Sequence, residues 1–258
     1  MMNKKLELTK SWLSRIKEIV ETELDLGLEI STKSHEYDIV TQVDSKVEEY
    51  LVGQIRESFP EDLIIGEEGD YGVSNHEDSN CWFIDPIDGT TNFVKQRDGY
   101  CSMISYFEQG VGQFAIIYDI VNDDVYWSLK DSGAFMNNEP LPKQLLMGLN
   151  EGLVSVTYNF KDNESFYTKL YESSFGFRYY GSAGLDSIKL FKGQLAALVF
   201  HKSEAWDIAP AVIFASELGY KLVDFKGDLI TYPSNSEWIL TNQKALNELL
   251  EIIKLFKF

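Results

Sequence analysis

The chain has 258 residues, with 23 Lys and Arg against 41 Asp and Glu and a formal net charge of −18. Its 44% hydrophobic and 25% charged residues are ordinary globular values, and the length is enough for one large domain whose core needs no disulfide staples. The acid excess would repel phosphate backbones and anionic lipid, which counts against nucleic acid or a membrane as main partner but not against a small phosphate ester accompanied by cations.

In chain order, Met1–Glu7 carries lysines with no apolar run or small-residue cleavage site behind them, so no secretory signal is expected and the expected location is cytoplasmic. Leu8, Trp12, Ile16, Ile19, Val20 and Leu24 share a helical face and predict a helix over Leu8–Leu24. A second helix is expected from about Asp44–Ser45, where Ser45-Lys46-Val47-Glu48 has capping-box spacing and Val47, Leu51 and Ile55 extend the stripe. Leu63–Ile65 and Trp82–Ile84 read as short buried strands, each followed by carboxylates. Met103–Phe107, Gly112–Tyr118 and Val125–Leu129 read as antiparallel strands split by Gln109-Gly110 and Asn122-Asp123-Asp124 turns.

The second half alternates. Strands are expected at Leu153–Tyr158, Ala196–Phe200 and Trp238–Leu240, and helices at Glu164–Ser173, Leu185–Phe191, Asp207–Leu218 and Gln243–Phe256. This order predicts stacked layers of helix and sheet rather than a pure doubly wound fold. The longest apolar runs, Leu195–Phe200 and Ile208–Ala215, fall far short of the ~18–20 residues of a membrane span. Cys81 and Cys101 lie in apolar strand-like settings without CxxC spacing, so buried thiols are expected, with no disulfide or zinc site.

The 38 residues between Arg56 and Lys95 contain no Lys or Arg and ten acids. Glu57, Glu61, Asp62, Glu77 and Asp78 read as solvated surface. Glu67, Glu68, Asp70, Asp85 and Asp88 differ because they follow apolar strands, which deliver them to the rim of a sheet. Two carboxylates ~4 Å apart repel by ~4 kcal/mol at an effective dielectric near 20, so such a focus must protonate or bind a cation. All-oxygen ligands suit Mg²⁺, Mn²⁺ or Ca²⁺, and EF-hand spacing is missing. In Asp85-Pro86-Ile87-Asp88-Gly89-Thr90, Pro86 stands where haloacid-dehalogenase-like phosphatases carry their aspartyl nucleophile, which excludes that chemistry. The N–H groups after Asp88 could start a helix and hold a phosphate. In Ala205-Trp206-Asp207-Ile208-Ala209-Pro210, Asp207 is expected as a helix N-cap with Pro210 in the first turn, its second oxygen free to face a metal.

Together, Asp38–Asp44, Gly66-Glu67-Glu68, Asp85–Phe93, Gly181-Ser182-Ala183 and Trp206–Ala209 resemble, in order and approximate spacing, the inositol monophosphatase family of Mg²⁺-dependent, lithium-sensitive phosphatases. The resemblance spans nearly the whole chain. It implies an α+β fold, the layered αβαβα sandwich shared with fructose bisphosphatases, as a single unit over 1–258 with halves of about 1–145 and 146–258. It implies two or three Mg²⁺, with Glu67, Asp85 and the Ile87 carbonyl at the first, Asp85, Asp88 and Asp207 at the second, and Glu67 sharing a weaker third. Thr90, paired with Asp44, would orient the attacking water. Gly89 and Thr90 would hold phosphate through their backbone, with Asp88 and Ala183 completing the substrate contacts. Family members are commonly dimers, so a homodimer is expected.

The substrate is less defined. Counting back from Asp207, Phe200 stands where inositol-specific members carry a hydroxyl-binding Glu, and Glu204 or Lys202 would have to compensate. Pro210 replaces a small residue. His35, His76 and His201 have no ligand spacing. Inositol monophosphate leads as substrate, with NADP, 3′-phosphoadenosine nucleotides, fructose 1,6-bisphosphate and histidinol phosphate as alternatives on the same metal core. A non-catalytic metal- or phosphate-binding regulator is the competing class.

Overall fold

The computed structural model describes residues 2–32, 39–69, 71–72, 76–157 and 164–256. Asp38, His35, Asp70 and Tyr158 lie outside these residues, as does the side chain of Lys202. A long helix α1 (Met2–Leu26) opens the chain, extending past both expected ends because Leu6 and Leu13 are buried on the same stripe as Trp12 and Ile16. A short hairpin, β1 (Ile30–Thr32) with β2 (Ile39–Thr41), leads into α2 (Gln42–Ser58).

The first large sheet has seven strands in chain order: β3 (Leu63–Gly66), β4 (Cys81–Asp88), β5 (Cys101–Glu108), β6 (Val111–Asp119), β7 (Asp124–Leu129), β8 (Gly133–Met136) and β9 (Glu139–Pro140). Only β3 and β4 pair in parallel; the rest is an antiparallel meander. Helix α3 (Thr90–Gln96) follows β4. The second sheet has the order β11-β10-β12-β14-β13, from β10 (Leu153–Val156), β11 (Gly176–Arg178), β12 (Ala197–Ser203), β13 (Lys221–Val223) and β14 (Ser236–Thr241). Its helices are α4 (Glu164–Ser173), α5 (Ala183–Phe191), α6 (Ala205–Leu218) and α7 (Gln243–Ile253).

Side-chain alternation divides the core into three clusters and so sets five layers. Trp82 and Ile84 of β4 face α1 and α2, joining Trp12, Ile16, Val47, Leu51 and Ile55. Cys81 and Phe83 face the opposite way, onto α5 and α6, where Leu198, Phe200, Trp238 and Leu240 arrive from the second sheet. Val199 and Ile239 point outward again to Phe166 of α4 and Leu249 of α7. The order is helix, sheet, helix, sheet, helix: the expected αβαβα sandwich. Strand β4 is buried along its whole length, which is why its first four residues, Cys81–Ile84, read as an unbroken apolar run. No helix among the described residues is long and apolar enough to cross a membrane.

Candidate active site

Gly66 of β3 lies beside Ile84 of β4 in parallel register. The residues that follow, Glu67 and Asp85, therefore reach the same level of the sheet on adjacent strands. Strand β4 does not end at Ile84, as the sequence suggested, but continues to Asp88 through an irregular pairing. Asp85 is opposite Met103 and Asp88 opposite Cys101, so three steps along β4 match two along β5. Proline has no N–H to give the ladder, and this bulge sits at Pro86-Ile87. The extra residue cancels the alternation that would put residues 85 and 88 on opposite faces.

The third carboxylate comes from α6. Glu204, not Asp207, is the N-cap; Asp207 is the third helical residue, and its Oδ2 accepts from the Glu204 N–H at 3.0 Å. Pro210 consequently falls in the second turn, where its missing N–H leaves the Trp206 carbonyl without its usual i+4 donor. One oxygen each from Asp85, Asp88 and Asp207 lies within 4.8 Å of the other two. Glu67 joins them through a hydrogen bond with Asp85.

Burial, then the charges of Glu67, Asp88 and Asp207, push Asp85 well above the usual carboxylate range. Burial and next Asp88 do the same to Asp207. Asp88 is also raised by burial, but four donors oppose the shift: Ser182 Oγ at 2.5 Å, Gly184 N at 2.7 Å, Ala183 N at 3.1 Å and Cys101 Sγ at 3.3 Å. The first turn of α5, capped by Ser182, thus fixes Asp88.

These residues fit a divalent cation. Asp85 Oδ1 is buried without a hydrogen-bond partner among the described residues, which is costly unless something positive meets it. The contact between Glu67 and Asp85 needs a proton between two carboxylates, or a cation in its place. Among the described residues no Lys or Arg forms an ion pair with Asp85, Asp88 or Asp207. An all-oxygen donor set selects a hard ion such as Mg²⁺, Mn²⁺ or Ca²⁺.

Thr90 and Asp44 meet beside this cluster. Thr90 Oγ1 lies 3.2 Å from Asp44 Oδ1 and 3.0 Å from the Ile87 carbonyl. Asp44 is the third residue of α2, and its Oδ2 accepts from both the N–H and the hydroxyl of the N-cap Thr41, at 2.9 and 2.6 Å. The helix therefore begins before Asp44–Ser45, and the capping box is Thr41 with Asp44 rather than Ser45 with Glu48. Burial raises Asp44, while the donors Thr41 and Thr90 pull it down. Gly89 caps α3 with a left-handed φ of 89°, and a Cβ there would meet the carbonyls of Gly99 and Gly181 at 3.1 and 3.2 Å. Both the turn and the close approach require glycine.

The other expected contacts fall elsewhere. Phe200 is in the inter-sheet core, stacked on Trp238 with ring centroids 4.3 Å apart, and offers no acceptor. Glu204 is exposed and pairs with Asn235 beside the helix cap. His76 bonds Tyr232 at 2.6 Å and His201 lies 3.1 Å from Glu237. Both cysteines are free and buried, as expected, but Cys101 does more than fill space, since its thiol donates to Asp88. Nothing in sequence spacing signals that contact, which exists only because β5 pairs with the bulge of β4.

The Inositol monophosphatase family model matches residues 2–256. The chain belongs to the inositol monophosphatase family. That family is one of phosphatases, and this chain is a phosphoric monoester hydrolase. Among curated relatives, the inositol-1-monophosphatase of Bacillus subtilis (strain 168) is 30% identical over 95% of this chain and 94% of its own length. A crystal structure of an IMPase/NADP phosphatase complexed with Mg²⁺ and phosphate superposes with a TM-score of 0.92 at 29% identity, over 97% of this chain and 95% of that one. A staphylococcal inositol monophosphatase-1, described as a 100 mM LiCl-soaked inhibitory complex, also gives 0.92 at 29% identity, over 98% and 95%.

Proposed function

We propose that this phosphatase uses Mg²⁺, at two or three positions, to hydrolyse a small phosphorylated metabolite by direct attack of water, with inositol monophosphate as the leading substrate. The observation that carries the reading is the Asp85–Asp88–Asp207 cluster with Glu67 on its edge. Asp85 is central to both expected positions, with Glu67 and the Ile87 carbonyl on one side and Asp88 and Asp207 on the other. Bound there, Mg²⁺ offsets phosphate charge, acidifies water and stabilises the leaving alkoxide. Thr90 has one hydroxyl proton and two acceptors in reach, Asp44 Oδ1 and Ile87 O. Donated to Asp44, that proton leaves the Thr90 lone pairs to accept from the attacking water and aim it at phosphorus. The backbone of Gly89 and Thr90 holds phosphate oxygens. Ala183 contacts the substrate only by sharing its N–H, which donates to Asp88 Oδ1.

NADP is the second reading. It is favoured by Phe200, whose packing on Trp238 removes the acceptor that an inositol hydroxyl would use, and by the likeness to an IMPase/NADP phosphatase. Lithium inhibition and a homodimer belong to this proposal through the family resemblance, and a cytoplasmic setting through the sequence pattern of Met1–Glu7. The charge of −18 opposes a role on nucleic acid or anionic membranes.

The test is phosphate release from inositol phosphates, NADP, 3′-phosphoadenosine nucleotides, fructose 1,6-bisphosphate and histidinol phosphate, with Mg²⁺ and with excess chelator. Release that needs Mg²⁺, is lost in Asp85→Asn and Glu67→Gln, and falls with Li⁺ is the expected outcome. Full turnover in chelator or in either variant would refute the metal assignment. No release from any ester would favour the non-catalytic regulator.

A further inference from the structure

Glu48 sits one turn below Asp44 on α2, so the two acids share a helix face. It is 2% exposed and takes no part in a helix cap. Its Oε2 accepts from the backbone N–H of Glu68 at 3.0 Å, and its Oε1 accepts from the Tyr71 hydroxyl at 2.6 Å. The space for this arrangement is made by glycine: a Cβ at Gly66 would come within 2.6 Å of Glu48 Oε2, and one at Gly69 would overlap the Tyr71 phenol. Tyr71 is held on its other side by Arg56, a further two turns along α2, whose guanidinium lies 5.5 Å from the ring centroid. Burial and the Glu48 carboxylate raise the phenol above its usual range, so it stays a donor.

The position of these contacts matters because the β3–β4 ladder stops at Gly66. Beyond it, sheet pairing no longer fixes Glu67. We propose that Glu48 and Tyr71 form a positioning pair that holds residues 66–69 against α2 and so presents Glu67 to the cation site, an inference that rests on the metal reading above. The same helix then sets two parts of the site, Thr90 through Asp44 and Glu67 through Glu48. Neither Glu48 nor Tyr71 touches the reacting groups.

The test compares full-length wild type, Tyr71→Phe and Glu48→Gln by isothermal titration with Mg²⁺ alone, by unfolding of the metal-free proteins, and by Mg²⁺ dependence of phosphate release. Glu48→Gln keeps the shape, but its amide can give Glu68 N an acceptor only by turning its donor toward Tyr71. Mg²⁺ affinity should fall roughly 10–100-fold in Glu48→Gln, as for other groups that orient metal ligands, and by a smaller factor in Tyr71→Phe. The Mg²⁺ concentration for half-maximal release should rise in step, with a smaller change in kcat at saturation. Wild-type Mg²⁺ affinity in the folded variants, even with lower metal-free stability, would reduce the pair to a structural contact and overturn the proposal. If Glu48→Gln does not fold, Tyr71→Phe decides on the same terms. Failure of the wild type to bind Mg²⁺ would instead overturn the metal reading beneath it.

Discussion

Asp186 is a buried carboxyl that lies outside the metal cluster yet close enough to feel it. It sits one turn beyond Ser182 on α5 and accepts from Ser155 Oγ at 2.7 Å. Burial pushes it up to about 7; the Asp88 charge adds to this, while the Ser155 hydrogen bond, the Ser182 backbone and Lys189 act the other way. The folded value is above that of the unfolded chain, so the folded state holds a proton that the unfolded state has released. The associated stability is fully present below about pH 4 and is lost as pH rises through about 7, at up to ~1.4 kcal/mol per pH unit. Asp186→Asn keeps an acceptor for Ser155 and removes the titration. Metal-free wild type should therefore lose stability relative to Asp186→Asn between about pH 4 and 7 and no further above it, as read by urea unfolding across the range. Parallel pH profiles for the two proteins would show that Asp186 is not the group. The acids of the metal cluster are common to both proteins, so their titration cancels from the difference except for the part of the Asp88 titration that the Asp186 charge itself shifts.

Helix α2 shows how an element can be legible in kind and misread in detail. Thr41 caps Val43 N at 3.1 Å and also fixes Asp44, so Thr41→Ala should cost about 1 kcal/mol of stability and lower kcat for phosphate release through a loosened Asp44. Thr41→Ser should restore both; urea midpoints and kcat measure them, and a stability loss with unchanged kcat would separate the cap from the site. Ser45-x-x-Glu48 fits the capping-box template, yet the box that forms is Thr41-x-x-Asp44, four residues earlier. The choice depends on Glu48 being buried against Glu68 and Tyr71, a tertiary contact invisible to local spacing. Asp207 was displaced from cap to third position by the same ambiguity, with Glu204 before it. The buried strands, by contrast, declared themselves, because a strand covered on both faces must be apolar throughout. Short strands of two to four residues, β8, β9, β11 and β13, carry too little periodicity to stand out. The acidic motifs pointed to carboxylates that the fold does bring together, but the bulge that puts Asp85 and Asp88 side by side follows from how β4 pairs with β5. Phe200 was legible as a substitution, while its stacking on Trp238 was not.

At the scale of the molecule, the site is a seam. Glu67, Asp85, Asp88, Thr90 and the Cys101 thiol on Asp88 come from the first sheet and its connections, whereas Asp207 and the other three donors to Asp88 come from α6 and the start of α5 between the sheets. A cation there would bind only the assembled layers, and it would do so within a chain of net charge −18 whose self-repulsion any salt relieves. The two effects can be separated. Mg²⁺ at about 100 times its dissociation constant should stabilise the wild type by ~2.7 kcal/mol beyond what NaCl gives at equal ionic strength. Asp85→Asn removes one of the mutually repelling buried carboxylates, so its metal-free form should unfold at a higher temperature than metal-free wild type. The same variant should lose the Mg²⁺-specific increment and keep the general salt effect. This crossing of signs, more stable without the ion and less stabilised with it, is what a built cation site requires and a merely acidic surface does not produce. If NaCl reproduces the whole Mg²⁺ effect, or if Asp85→Asn lowers metal-free stability while leaving the increment intact, the cluster is not where the ion binds.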